Sequence, residues 1–202
     1  MPVNEKIIEA ALRLLDFQDR TSAELKEKLL KKGFQESHVG EAVAYLQDSG
    51  IIDDRRYAEL FAAGRFDAGK GRSWIRNKLA MKGVSRDIID EALEAALQEV
   101  DERILCLEKA LSICGLSEDF EVTAEGEIIP VSHDFGTDLD ESDAAEWEPV
   151  RYFYRKVPAD ETDRNVIYKA HEKAKASLTR RLITAGYPAG MAFEAVRKID
   201  NL

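Results

Sequence analysis

A chain of 202 residues, 45% hydrophobic and 34% charged, is long enough to bury one large core or several small ones. No run approaches the ~18 apolar residues of a membrane helix, and the opening MPVNEKIIEA lacks the basic and apolar regions of a secretory signal. The net charge of −10 is concentrated: residues 101–165 carry six basic and eighteen acidic residues, whereas 166–202 carry seven basic and three acidic, so the average does not exclude a nucleic-acid partner.

The first predicted helix covers about 4–17, with Ile7, Ile8, Ala11, Leu12 and Leu15 at helical spacing. Thr21 to Glu24 (TSAE) then reads as a capping box that opens a second helix. That helix closes on EKLLKKGF at 27–34, a phrase that returns as NKLAMKGV at 77–84 and RRLITAGY at 180–187. In each copy a glycine (Gly33, Gly83, Gly186) follows a leucine by four (Leu29, Leu79, Leu182), and an apolar residue (Phe34, Val84, Tyr187) comes next. This is the pattern of a helix C-terminus: an apolar seam, a left-handed glycine stop and an apolar latch of the Schellman type. A third helix follows each copy, with Ser85 as a candidate N-cap and Pro188 at a first-turn position. In the second unit Asp53 or Asp54 caps a helix carrying Tyr57, Leu60 and Phe61, which ends near DAGKGR.

Three helices in roughly 50 residues therefore make one unit, and such units need neighbours to bury their faces. The expectation is an all-α fold of tandem three-helix repeats at 1–53, 54–100 and 101–202, stacked into an elongated, curved array. The third repeat is interrupted at about 116–158. FEVTAEGEIIPVS (120–132) and VRYFYRKV (150–157) predict a small β-hairpin or three-stranded flap, with a turn at Glu125–Gly126 and an acidic loop at 134–148. Its flanks, 102–114 and about 161–175, read as helical. Cys106 and Cys114, eight apart, read as reduced thiols of a cytosolic protein.

No catalytic constellation emerges. GKGRS at 69–73 lacks the spacing of a phosphate loop, and three scattered histidines give no zinc signature. Asp134, Asp138, Asp140 and Asp143 are hard oxygen ligands, but the calcium-loop pattern fails at its glycine and glutamate positions, which leaves a solvated acidic loop. The binding candidate is KGRSWIRNKLAMK (70–82), where Lys70, Arg72, Arg76, Lys78 and Lys82 ring a helix whose apolar side is Ile75 and Leu79. Arg55 and Arg56 join them, because cations just after a helix start oppose its dipole and ask for another reason. The plain alternative is a solvated basic face. Trp74 reads as a half-buried packing residue in preference to a base-stacking one.

The ordered series TSAELKEKLLKKGF, SGIIDDRRYA and GRSWIRNKLAMKGV resembles the RecX family, over residues 1–100 and more faintly over 176–200. The resemblance implies a cytoplasmic, monomeric modulator without catalysis or cofactor. It implies binding to the RecA recombinase filament and to the single- or double-stranded DNA within it, restraining strand exchange, ATP hydrolysis and co-protease function. Arg55, Arg56, Lys70, Arg72, Arg76, Lys78 and Lys82 then become candidate contacts to filament phosphates or acidic RecA patches. The acidic insertion departs from the family pattern; it adds a contact to a basic RecA surface, or competes with DNA for that surface, or is a tolerated surface insertion. One rival class is a helix-turn-helix regulator acting directly on duplex DNA, against which the acidic third helices (35–48, 85–97) argue; the other, an enzyme with a nucleotide or metal site in the insertion, lacks a coherent ligand set.

Overall fold

The computed structural model describes residues 4–131, 153 and 162–202. In chain order the helices are α1 (Glu5–Phe17), α2 (Ser22–Lys31), α3 (Glu36–Asp48), α4 (Asp54–Asp67), α5 (Arg72–Met81), α6 (Arg86–Glu99) and α7 (Glu102–Cys114). A hairpin of β1 (Phe120–Val122) and β2 (Ile128–Pro130) comes next, and α8 (Arg164–Ala185) and α9 (Ala189–Asp200) follow. The chain divides into two compact units, Met1–Ala68 with Arg72–Val100, and Gly69–Gly71 with Asp101–Leu202.

The repeated phrase folds as one motif three times. Gly33, Gly83 and Gly186 have φ of +88°, +78° and +103°. The next amide in each case donates to the carbonyl of the leucine four before the glycine: Phe34 to Leu29 (3.4 Å), Val84 to Leu79 (3.2 Å) and Tyr187 to Leu182 (3.2 Å). The glycine amide donates to the following carbonyl, at 2.9–3.0 Å in all three, which completes the Schellman pair. Leu29, Leu79 and Leu182 are fully buried, so each seam contributes about 2 kcal/mol per leucine from area removed from water.

At the other helix ends the sequence is only partly obeyed. Thr21 Oγ1 accepts from the Glu24 amide (3.2 Å) and the Glu24 carboxylate accepts from the Thr21 amide (3.4 Å), the expected capping box. Asp53 is the cap of α4. Ser85 holds the N-cap position of α6 without a side-chain bond, and Pro188 sits at the N-cap of α9, one place before the first turn.

The first unit has one core from α1–α3, built on Ile7, Ala11, Leu25, Leu29, Val39 and Leu46. In α4 the buried residues are Ala58, Ala62 and Phe66, while Leu60 is 63% exposed. Two alanines four apart let α4 lie close on α6, against which it packs. The bulkier Tyr57 and Phe61 are therefore left half-buried, outside that contact. A polar seam joins α2 to the following helices: Thr21 Oγ1 donates to the Lys82 carbonyl (2.6 Å), and the Ser22 amide and hydroxyl both donate to the Asp54 carboxylate (2.8 and 2.5 Å).

The second unit packs α7, α8, α9 and the hairpin around Cys106, Leu111, Phe120, Phe153, Leu178 and Tyr187. The expected flanking helix and the third copy of the phrase form one uninterrupted helix, α8. The hairpin pairs Phe120 with Pro130 and Val122 with Ile128. Its turn closes through Thr123 and Glu127, with Gly126 at φ +79°. Lys198 Nζ donates to the Gly126 carbonyl (2.5 Å), and the Tyr187 hydroxyl donates to the Leu105 carbonyl (3.3 Å). Neither cysteine is in a disulfide; burial pushes the Cys106 thiol up to about 12, helped by Glu102 and Glu194. The expected third strand at 150–157, apart from the buried Phe153, and the acidic loop at 134–148 lie outside the described residues.

Candidate functional site

Helix α5 buries Ile75 and Leu79 completely. At about 100° per residue, Arg76, Lys78 and Lys82 fall on the flanks of that seam, whereas Asn77, Ala80 and the exposed Met81 fall opposite it. Flanking cations meet neighbouring elements. Arg76 lies 2.7 Å from Asp90 Oδ1 on α6, with both side chains 43% exposed. Lys82 Nζ donates to Glu24 Oε1 (2.8 Å) and stands 5.4 Å from the Tyr57 ring centre. Lys78 Nζ stands 5.5 Å from the centre of the half-buried Trp74 ring.

At the start of α4 the amides of Arg55 and Arg56 donate to Asp53 Oδ1 at 2.9 and 3.0 Å. The Arg55 guanidinium pairs with Glu91 of α6. The Arg56 guanidinium forms no ion pair with any described residue. Arg72 is exposed at the first position of α5. Lys70 is half-buried and belongs to the second compact unit, while the other six belong to the first. Arg55, Arg76 and Lys82 are thus held by carboxylates of the same unit, and their charge is partly spent there.

Burial works against the Lys82 ammonium, but hydrogen bonds to Glu24 and Tyr57 outweigh it and hold Lys82 above the usual lysine range. This group ties the end of α5 to α2.

Beside Arg56 lies a groove of about 450 Å³, lined by Leu15, Ile51, Tyr57, Leu60 and Phe61. Tyr57 and Phe61 stack with ring centres 6.2 Å apart and planes 16° off parallel, and the Arg65 guanidinium lies 5.0 Å over Phe61. Reading Tyr57, Leu60 and Phe61 as helix residues did not reveal this surface. The available signal was an aromatic pair four apart, next to two arginines, on a helix that had alanines for its core.

Among the described residues, no group of three or more His, Cys, Asp or Glu is disposed to hold a metal ion, and no helix is long and apolar enough to cross a membrane. Asp134, Asp138, Asp140 and Asp143 lie outside the described residues.

Residues 8–46 match the profile of the first three-helix domain of RecX, and residues 53–93 that of its second. Regulatory protein RecX of Halorhodospira halophila is 38% identical over 98 residues, covering 48% of this chain and 60% of that protein. RecX of Clostridium perfringens is 36% identical over 84 residues, covering 42% and 39%. The chain therefore spans between about two fifths and three fifths of the length of these relatives. RecX of Chlorobium phaeobacteroides is 32% identical over 109 residues, which cover 54% of this chain and 70% of that protein. The crystal structure of RecX from Lactobacillus salivarius superposes with a TM-score of 0.62 over 98% of this chain and 97% of that one; at 18% identity it speaks for the fold alone. With the repeated caps, the two domain matches and the Chlorobium relative, the chain belongs to the RecX family of regulatory proteins.

Proposed function

We propose that this protein binds the RecA–DNA filament and restrains the recombinase, lowering strand exchange, ATP hydrolysis and co-protease activity without chemistry of its own. Membership of a family of regulatory proteins carries this reading. The proposed repeats are 1–53, 54–100 and 101–202, the last interrupted at about 116–158. The protein acts in the cytoplasm, as a monomer, and touches single- or double-stranded DNA inside the filament. The proposed contacts are Arg55, Arg56, Lys70, Arg72, Arg76, Lys78 and Lys82. Arg56 leads them, because its guanidinium pairs with no described residue and lies beside a stacked aromatic pair, the combination that suits a phosphate next to an unstacked base.

The test is RecA ATP hydrolysis on single-stranded DNA with this protein added substoichiometrically. Strong inhibition is expected, weakened several-fold in Arg56→Ala and further when Lys70→Ala, Arg72→Ala and Arg76→Ala are combined. Absence of inhibition, with active RecA from the same cell, defeats the reading and moves attention to direct duplex binding.

A further inference from the structure

Helices α8 and α9 of the second unit pack on each other and leave an open groove of about 600 Å³ on their outer side. Its apolar surface comes from Ala176, Ile183, Phe193 and Val196. Ile183 is 44% exposed and Phe193 62% exposed, large apolar side chains left open by the described residues of the unit. The groove offers little to a small polar ligand. The Thr179 and Thr184 hydroxyls donate back to the carbonyls of Lys175 (2.9 Å) and Arg180 (2.8 Å) of their own helix.

The charges around the groove are not balanced. Asp200 is engaged by His171 Nε2 (2.6 Å) and Lys175 Nζ (2.9 Å), and Glu172 by Lys175 (3.2 Å). Both carboxylates are thus engaged by neighbours on α8, while the lining sets these two acids against Lys175, Arg180 and Arg197, an excess of one cation. Arg180 and Arg197, both exposed and both lining the groove, form no ion pair with any described residue. An apolar trough flanked by two guanidiniums that no described carboxylate engages is complementary to apolar anchors flanked by carboxylates.

We infer that the α8–α9 groove docks an acidic amphipathic helix of a partner protein. Along α8 the groove runs from Glu172 to Thr184, which at ~1.5 Å per residue is about 18 Å, room for roughly three turns. A second copy of this chain fits poorly, because a two-fold contact would set Arg180 and Arg197 against the same arginines. Duplex nucleic acid fits poorly as well: affinity there comes from several phosphate contacts, and two arginines around an apolar floor supply few. The inference stands apart from the filament reading, since it names a different surface and is tested without RecA or DNA.

The probe is a displayed library of helix-forming 15-residue peptides, panned on the full chain. The selected pool should be rich in Asp and Glu, with apolar residues at i, i+3 or i+4, and i+7. The best peptide, followed by fluorescence anisotropy, should lose about tenfold in affinity to Phe193→Ala and a similar factor to Arg180→Ala with Arg197→Ala. All three positions are exposed, so these variants should melt within about 2 °C of the parent. Reversal to Arg180→Glu with Arg197→Glu should transfer preference to peptides carrying Lys in place of Glu. A neutral or basic pool, or peptides that bind Phe193→Ala unchanged, overturns the inference. So does micromolar dimerisation abolished by Phe193→Ala, which would make this face a contact between copies.

Discussion

Gly33 and Gly83 end equivalent helices with the same bonds and nearly the same φ, yet their surroundings differ. A Cβ added at Gly33 meets nothing within 4 Å, whereas one at Gly83 would lie 2.3 Å from the Cβ of Ala23. The third copy differs again: a Cβ on Gly71 would lie 2.4–2.6 Å from the backbone of Gly186 and Tyr187, and the Gly71 amide donates to the Ala185 carbonyl (2.9 Å). One phrase encodes one backbone path. What packs on the turn is decided by residues far away in sequence, and so is the cost of altering it.

The largest effect is expected from Gly71→Ala. Backbone cannot yield as a side chain does, so the methyl must push the Gly186 turn aside and endanger the Ala185 bond, at a cost of about 3 kcal/mol. Urea unfolding checks it; a midpoint close to the parent's would mean the turn has slack. Next comes the pair of equivalent glycines. Gly33→Ala should cost about 1 kcal/mol for left-handed backbone alone, and Gly83→Ala about 3, since overpacking against Ala23 adds to the same strain. Ala23→Gly introduced with Gly83→Ala should recover part of that difference. Equal losses for the two single variants would erase the contrast between the turns.

Helix starts allow a finer version. Thr21 is fully buried, caps α2 and donates to the Lys82 carbonyl, so Thr21→Val removes two bonds and should cost about 2 kcal/mol. Ser85 holds the corresponding place in α6 with no side-chain cap bond, and Ser85→Ala should change stability by less than about 0.5 kcal/mol. Thermal melts of both variants measure the gap.

These contrasts mark what the sequence could disclose. Local chemistry was legible: the three glycine stops, the TSAE box, the Asp53 cap and the turn at Gly126 depend on residues within a few positions. Long-range choice was not. Hydrophobicity ranks Tyr57, Leu60 and Phe61 above Ala58 and Ala62, but close packing of α4 on α6 favours the small residues. The basic ring of α5 was visible, whereas its partners Glu24 and Asp90 arrive from α2 and α6, and periodicity places a residue on a face without saying what that face meets. The α8–α9 groove went unread because Ile183 and Phe193 have the spacing of ordinary helix residues and only the packed pair shows them uncovered.

A smaller loss than that at Thr21 is expected at Lys82, the cation that separates a clamp from a contact. Its ammonium is about a quarter exposed and bound to Glu24. Its pKa is raised in the folded chain, so the pair's contribution is fully present below the unfolded-state lysine value and is lost as pH rises through the folded one. Solvent screening keeps that contribution to roughly 0.5–1 kcal/mol. Lys82→Met keeps most of the aliphatic stem and removes the charge. At pH 7 this variant should unfold at lower urea than the parent, and the gap should close at alkaline pH, once the parent's Lys82 is neutral. A gap independent of pH would assign the loss to packing under Tyr57. If the pH-dependent gap appears and Lys82→Met matches the parent in the RecA assay, Lys82 ties α2 to α5 and drops out of the proposed filament contacts.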